Sequence, residues 1–404
     1  MTATTENETA AATRAPWPLA GLLVVAAGTF LSVTTEMLPM GLLSSISRDL
    51  DVSEPTVGLL VTGYALMVAL FAAPLGRLTA RFPRRGLLVG ALVAYAASNV
   101  IMALSTVYPL AAAARLIGGL THGAFWAMVA GYVARMVTPD RVGRAVTLVF
   151  TGGTVAILVG LPAGTALGVA VGWRATFAVL AGISLVLAFV GWRLLPDYPG
   201  ETPGGGMSLL QVLRTPSVAI VVVTTAVTML GYFSFYTYIS PFLQSTGLSE
   251  AALSPALLGY GAAGAVGLLA AGLLVDKRPR FAMLAGTATL TVALIGLALS
   301  GRSPAAAVAA AAVAGMALNA LATLLQAAIL RAAPAGAADT AAALNASAFN
   351  VGIGGGALVG GLVLAGWGPA ALPLVAALLT CVGVLGVAYG RREGFPATVP
   401  SSAG

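Results

Sequence analysis

Histidine and cysteine each occur once among the 404 residues, as His122 and Cys381, so neither a disulfide framework nor a multi-residue His/Cys metal site can be assembled. Charge is almost as scarce. Charged residues make up 8% of the chain, where a soluble domain spends about a quarter of its residues facing water. Apolar residues reach 59% and the mean hydropathy is +0.97. A surface built from such a chain has to face lipid. No G-x-x-x-x-G-K-[ST] segment occurs, which argues against a nucleotide as the direct energy source. Residues 1–17 are polar and lack the basic segment and cleavage site of a signal peptide, so they read as a cytoplasmic tail.

What is present is a series of apolar runs, each near the 20 residues that cross a bilayer as a helix. They lie near 18–44, 56–79, 86–104, 107–135, 144–170 and 173–195, then near 217–243, 253–275, 280–299, 304–331, 340–365 and 369–390. The Gly/Pro-rich stretch Pro196–Pro216 separates the two sets as the longest linker. The pattern predicts an all-α membrane protein: a tail 1–17, a six-helix bundle 18–195, a linker 196–216, a second bundle 217–390 and a tail 391–404. Fifty glycines and 22 prolines fit close helix packing and kinks.

With both ends inside, 16 Lys/Arg fall on the inner side and only Arg48, Arg174 and Arg302 outside. That asymmetry sets cytoplasmic termini by the positive-inside rule, and it accounts for the net charge of +7 as an insertion signal rather than a nucleic-acid footprint. The halves also repeat. Gly76, Leu78, Arg81, Pro83 and Arg84 recur 196 positions later as Gly272, Leu274, Lys277, Pro279 and Arg280, and Gly172-Trp173 returns as Gly366-Trp367. A duplicated six-helix unit predicts two pseudo-symmetric bundles with a small-molecule cavity between them, near the bilayer midplane.

Three ionisable residues lie within predicted spans: Glu36, Arg115 and His122. Each costs about 2.5–3.5 kcal/mol at the bilayer centre, so each needs a partner or water. At 1.5 Å per residue, Glu36 lies about 27 Å from the inner face, between Arg115 at about 30 Å and His122 at about 20 Å. Glu36 reads as a proton-exchanging carboxylate, or alternatively as the static partner of Arg115. His122 reads as a proton relay, a polar pocket wall or a packing residue. Arg115 and His122 share one helical face, with Gly118, Gly119 and Trp126 near the same stripe. Tyr236, Asn319, Gln326, Trp126 and Asn345 are candidate substrate contacts, and interhelical packing is the competing reading for each. An aromatic cluster, Tyr232, Phe233, Phe235, Tyr236, Tyr238 and Phe242, is a further candidate pocket wall.

The loop Gly76-Arg-Leu-Thr-Ala-Arg-Phe-Pro-Arg-Arg85 resembles the loop signature of the major facilitator superfamily, and the resemblance extends over about 18 to 390. It departs twice: Ala80 stands where an Asp is expected and Pro83 where a Gly is expected, and the acid survives only in the second-half copy as Asp276. The resemblance implies the major facilitator fold and a gating role for Gly76, Arg77, Arg81, Arg84 and Asp276. Arg115 through Trp126 is similar to the fourth-span motif of proton-coupled members. Gly160-Leu-Pro162-Ala-Gly164 loosely resembles the glycine–proline motif of drug/proton antiporters, which implies close approach of spans 5 and 8 and a cytoplasmic seal. Thr34-Thr35-Glu36, the His122–Trp126 run and Ala343–Asn350 resemble a branch of sugar and purine-nucleoside efflux permeases and chloramphenicol exporters.

The expected function is therefore export of a small molecule in exchange for protons by alternating access. The setting would be a bacterial inner membrane, the protein a monomer without cofactor beyond the ion gradient. Uptake by symport or facilitation, and sodium in place of the proton, remain open. An intramembrane transferase is disfavoured by short loops and a mid-span histidine.

Overall fold

The computed structural model describes residues 18–138, 141–200, 207–275, 277–391 and 393–396. Within these, twelve helical spans are long and apolar enough to cross a membrane. They comprise α1 (Leu19–Gly41), α3 (Glu54–Thr79), α4 (Arg84–Ala103), α5 (Tyr108–Met136), the paired α6 (Val142–Val155) and α7 (Leu161–Val171), and α8 (Trp173–Leu194) in the first half. The second half holds α10 (Pro216–Tyr236), α12 (Glu250–Leu274), α13 (Pro279–Leu299), α14 (Pro304–Ala332), α15 (Ala338–Trp367) and α16 (Leu372–Tyr389). Short helices α2 (Leu43–Leu50), α9 (Leu209–Leu213) and α11 (Ile239–Ser245) complete the chain. An even number of spans brings both chain ends to one end of the bundle, here the terminal end; the other is the distal end.

Helix starts follow the sequence closely. Ser53 caps α3 by accepting from the Thr56 N–H at 3.3 Å, Ser303 caps α14 from Ala306, and Ser208 with Gln211 forms a reciprocal capping box on α9. Large apolar side chains such as Leu269, Leu299 and Leu273 stay 70–80% exposed, the belt a bilayer would cover.

Three features differ from the sequence reading. The first and seventh spans are each broken, at Leu42 and at Tyr238, positions 196 apart, where the chain restarts as α2 and α11. The Gly-Trp repeat is not structural. Gly172, at φ +91°, turns the chain into α8, and its counterpart is Gly368 at φ +77°, again 196 positions on; Gly366 and Trp367 still belong to α15. Finally, the linker holds structure of its own among its described residues: α9 is helical and the segment 196–200 is hydrogen-bonded to the first bundle.

Among the described residues, the hydrogen bonds that join the two halves all lie in the distal half. Arg48 pairs with Glu250 at 2.6 Å, and Ser44 donates to Gln244 at 3.2 Å. Ser240 donates to the Met40 carbonyl at 2.9 Å, Thr62 to that of Gly354 at 3.0 Å, and Ser254 to that of Pro162 at 2.8 Å. Two glycines permit this closure. Gly58 leaves room for the Tyr238 ring, whose hydroxyl donates to the Ala357 carbonyl at 2.8 Å, and Gly261 lies directly on the backbone of Leu158. These contacts seal the protein at its distal end.

Candidate functional site

The first half concentrates its buried polar groups where α1, α3, α4 and α5 meet. Pro39 explains the local chemistry of α1. Lacking an N–H, it frees the carbonyl four residues back, that of Thr35. Arg115 fills that vacancy: its Nη1 donates to the Thr35 carbonyl at 2.7 Å and its Nη2 to the Glu36 carbonyl at 2.9 Å. The guanidinium also stacks 4.1 Å over the Tyr64 ring. Arg115 therefore holds the backbone of α1, and the expected Arg115–Glu36 side-chain pair is not formed.

The Glu36 carboxylate instead faces His122, with Oε2 lying 3.7 Å from Nε2, both side chains buried. The other ring nitrogen is fixed by two hydroxyls, Ser32 Oγ at 3.0 Å and Tyr64 OH at 2.9 Å. Ser32 also accepts from Trp126 Nε1–H at 3.0 Å and pairs with Tyr95 OH at 2.7 Å. Trp126 stacks on His122 at 5.8 Å and meets Phe150, itself 39% exposed, edge-on at 5.1 Å. The result is a continuous polar path from Tyr95 through Ser32 and His122 to Glu36. Ser32, Tyr64 and Tyr95 were missed by the sequence reading, because Ser and Tyr are unremarkable within apolar spans. The glycines of α5 serve α3 rather than α1: Gly118 and Gly119 abut Tyr64, and Gly123 abuts Ala72.

The second-half candidates divide into two groups. Asn345 joins three helices, donating to Gln326 Oε1 at 3.0 Å and accepting from Thr225 at 2.9 Å. Gln326 remains exposed although a lipid-facing amide is costly, which favours an aqueous rather than a lipid surface beside it. Asn319 turns back on its own helix, donating to Gly315 at 3.0 Å, next to Gly264. Tyr236 is 3% exposed, stacked between Tyr232 and Tyr260 at 5.2 and 5.1 Å, and Tyr232 and Tyr260 share a short hydroxyl hydrogen bond. Phe233, Phe235, Tyr238 and Phe242 are equally buried, so the cluster is packed core in this state rather than a pocket wall.

The predicted gate is also redistributed. Gly160 packs on Thr34 and Phe30, and Gly164 on Leu38, so both serve α1; the approach of the fifth and eighth spans runs through Gly261 and the Pro162 carbonyl, in the distal half. A π-helical turn, Ala156–Gly160, immediately precedes Leu161-Pro162. Gly76 lies against Ala127, while Arg77 and Arg81 are exposed, Arg81 with its guanidinium 5.3 Å over Phe82. The Arg84 N–H is bound by the Tyr198 carbonyl at 2.9 Å. Asp276 lies outside the described residues.

The sequence profile of the Major Facilitator Superfamily matches residues 25–303 and 221–404. The chain belongs to that superfamily. A chloramphenicol efflux pump of Mycobacterium tuberculosis is 34% identical over 297 residues, 72% of each chain. A probable sugar efflux transporter of Mannheimia succiniciproducens is 33% identical over 277 residues, 68% of this chain and 70% of that protein. Among solved structures, a bacterial homologue of the human lysosomal transporter Spinster, inward-facing and occupied, superposes with a TM-score of 0.73 at 15% identity, covering 92% of this chain and 96% of that one. As a major facilitator, this protein is a multi-pass membrane transporter and not an enzyme, with a small-molecule substrate and the bilayer as its surroundings.

Proposed function

We propose that this transporter exports a small, hydrogen-bonding molecule in exchange for protons, with Glu36 as the carboxylate that binds the proton and His122 as its relay. The observation that supports this most is the side-chain setting of Glu36: a buried acid in a span that faces the His122 ring at 3.7 Å, while the Arg115 Nη atoms donate to backbone carbonyls. Such a carboxylate can gain and lose its charge without dismantling the helix contacts around it. The hydroxyls on Nδ1 leave Nε2 directed at Glu36, and hydroxyl rotors can reverse as a proton passes.

Export, rather than uptake, is supported by the names of the relatives. Trp126, Phe150 and Gln326 would contact a neutral, partly aromatic or hydroxylated solute, with Asn319 and the buried Asn345 and Tyr236 joining in another state. The distal seal then corresponds to a cytoplasm-open state of a monomer in a bacterial inner membrane, with the termini cytoplasmic as the Lys/Arg asymmetry requires. The test is substrate-dependent proton movement in liposomes. Compounds drawn from amphenicols, sugars and nucleosides that release protons against an imposed gradient support exchange; transport that is blind to pH overturns it.

A further inference from the structure

The first and seventh spans break at Leu42 and Tyr238, and each restarts at the distal end as a short helix, α2 and α11. The repeat continues past both breaks. Ser44, Arg48, Asp51, Ser53 and Glu54 stand 196 positions before Ser240, Gln244, Gly247, Ser249 and Glu250. Asp51 and Gly247 turn the chain at φ +51° and +100°, and Glu54 and Glu250 then open α3 and α12. A carboxylate is favoured at such a helix start. The repeat fails at one cation: Arg48 of α2 is matched in α11 by the neutral Gln244.

Each short helix reaches toward the glutamate of the opposite half. Arg48 Nη2 lies 2.6 Å from Glu250 Oε1. At the symmetric place Gln244 approaches Glu54 only through Ser44, whose Oγ lies 2.6 Å from Glu54 Oε1 and 3.2 Å from Gln244 Oε1. Ser240, the counterpart of Ser44, donates instead to the Met40 and Gly41 carbonyls at 2.9 and 3.3 Å. The acid beside Arg48 is engaged within the first half: Asp49 Oδ2 accepts from Arg174 Nη1 at 2.6 Å and from Trp173 Nε1 at 3.0 Å. The contacts of Arg48 and Gln244 cross between the halves, and the halves must part here when the distal end opens. They are therefore made in one state and lost in the other, and such a difference sets the balance between the two.

We propose that α2 and α11 form a distal latch with two pseudo-symmetric arms, one charged (Arg48–Glu250) and one neutral (Gln244–Ser44–Glu54), and that glutamine at position 244 keeps the closure reversible. An arginine there would face Glu54 as Arg48 faces Glu250, and two ion pairs would then cross the seam. With glutamine, the seam carries the Arg48–Glu250 pair at side chains 64% and 42% exposed, an interaction weak enough to break in every cycle. The latch works in the same way whatever ion drives transport, since it requires only that the two ends open in turn.

The experiment places spin labels at the distal ends of α4 and α13, through Leu104→Cys and Leu299→Cys with Cys381→Ser, on the otherwise full chain in nanodiscs. Leu104 and Leu299 are 68% and 80% exposed and lie outside the latch. Gln244→Arg is expected to lower the long-distance, distally open population by about twofold or more, and Glu54→Gln in that background to restore it. Arg48→Gln is expected to raise the same population by about twofold, and the exchange Arg48→Glu with Glu250→Arg to return it toward the parental value. An unchanged distance distribution in Gln244→Arg, or a shift there that Glu54→Gln leaves in place, overturns the proposal. Should Gln244→Arg fail to fold, Arg48→Gln and the charge exchange carry the test, and no shift in the first, or one that persists in the second, overturns it.

Discussion

His122 Nε2 lies 3.7 Å from Glu36 Oε2, while Arg115 reaches the same turn of α1 only through its carbonyl oxygens. One residue pair thus faces side chain to side chain, and the other is side chain to backbone. The distinction separates a group that can titrate from a group that holds a kinked helix together, and it yields different expectations for each.

Arg115→Met leaves the proline-freed carbonyl of Thr35 without a donor inside the bundle. An unpaired buried acceptor costs about 1–3 kcal/mol. The thermal midpoint of the purified protein should fall by several degrees, whereas Glu36→Gln should leave it close to parental. Differential scanning fluorimetry in detergent checks this, and equal falls in both variants would assign Glu36 a structural role as well.

Ser32 and Tyr64 fix His122 through Nδ1, with Glu36, Tyr64, Tyr95 and Arg115 as the titratable or charged groups around it. Ser32→Ala with Tyr64→Phe removes both hydroxyls and little volume. The pH midpoint of exchange should move while substrate affinity stays within about twofold, since the change falls on proton transfer rather than on binding. A pH–rate profile in liposomes decides the point. An unmoved midpoint would mean that the hydroxyls only pack.

Gly58 is where Tyr238 seals the distal end. A methyl group there would overlap the ring and its hydroxyl. Gly58→Ala should therefore destabilise the distal closure and shift the population toward the state open at that end, read as faster labelling of a cysteine placed at Thr62. Tyr238→Phe, which loses only the hydrogen bond, should give a smaller shift in the same direction.

Much of this architecture was legible in the sequence, because a bilayer imposes a length and a composition that hydropathy reads directly. Twelve spans emerge that way, and the 196-position repeat from the matched loop residues Gly76–Arg84 and Gly272–Arg280. The breaks at Leu42 and Tyr238 do not, since both residues are apolar and a hydropathy run passes over a broken helix unchanged. The grouping of Glu36 with His122 followed from depth alone. Depth carries no azimuth, however, and so it could not tell whether Arg115 met the carboxylate or the backbone; Pro39, three residues after Glu36, was the available clue. The aromatic cluster around Tyr236 was ambiguous for a related reason, as rings that fill a seam and rings that line a cavity have the same composition. The contacts of the segment 196–200 were invisible because a short Pro- and Gly-containing polar stretch carries no sign of its partners.

The central claim is that Glu36 carries the exchanged proton. Protein in liposomes with a trapped pH dye and an imposed gradient, challenged with a transported compound, tests it most directly by comparing the parent with Glu36→Gln. The account predicts substrate-driven proton release in the parent and its loss, by at least about tenfold, in Glu36→Gln, with substrate binding retained. Normal proton release by Glu36→Gln would contradict it.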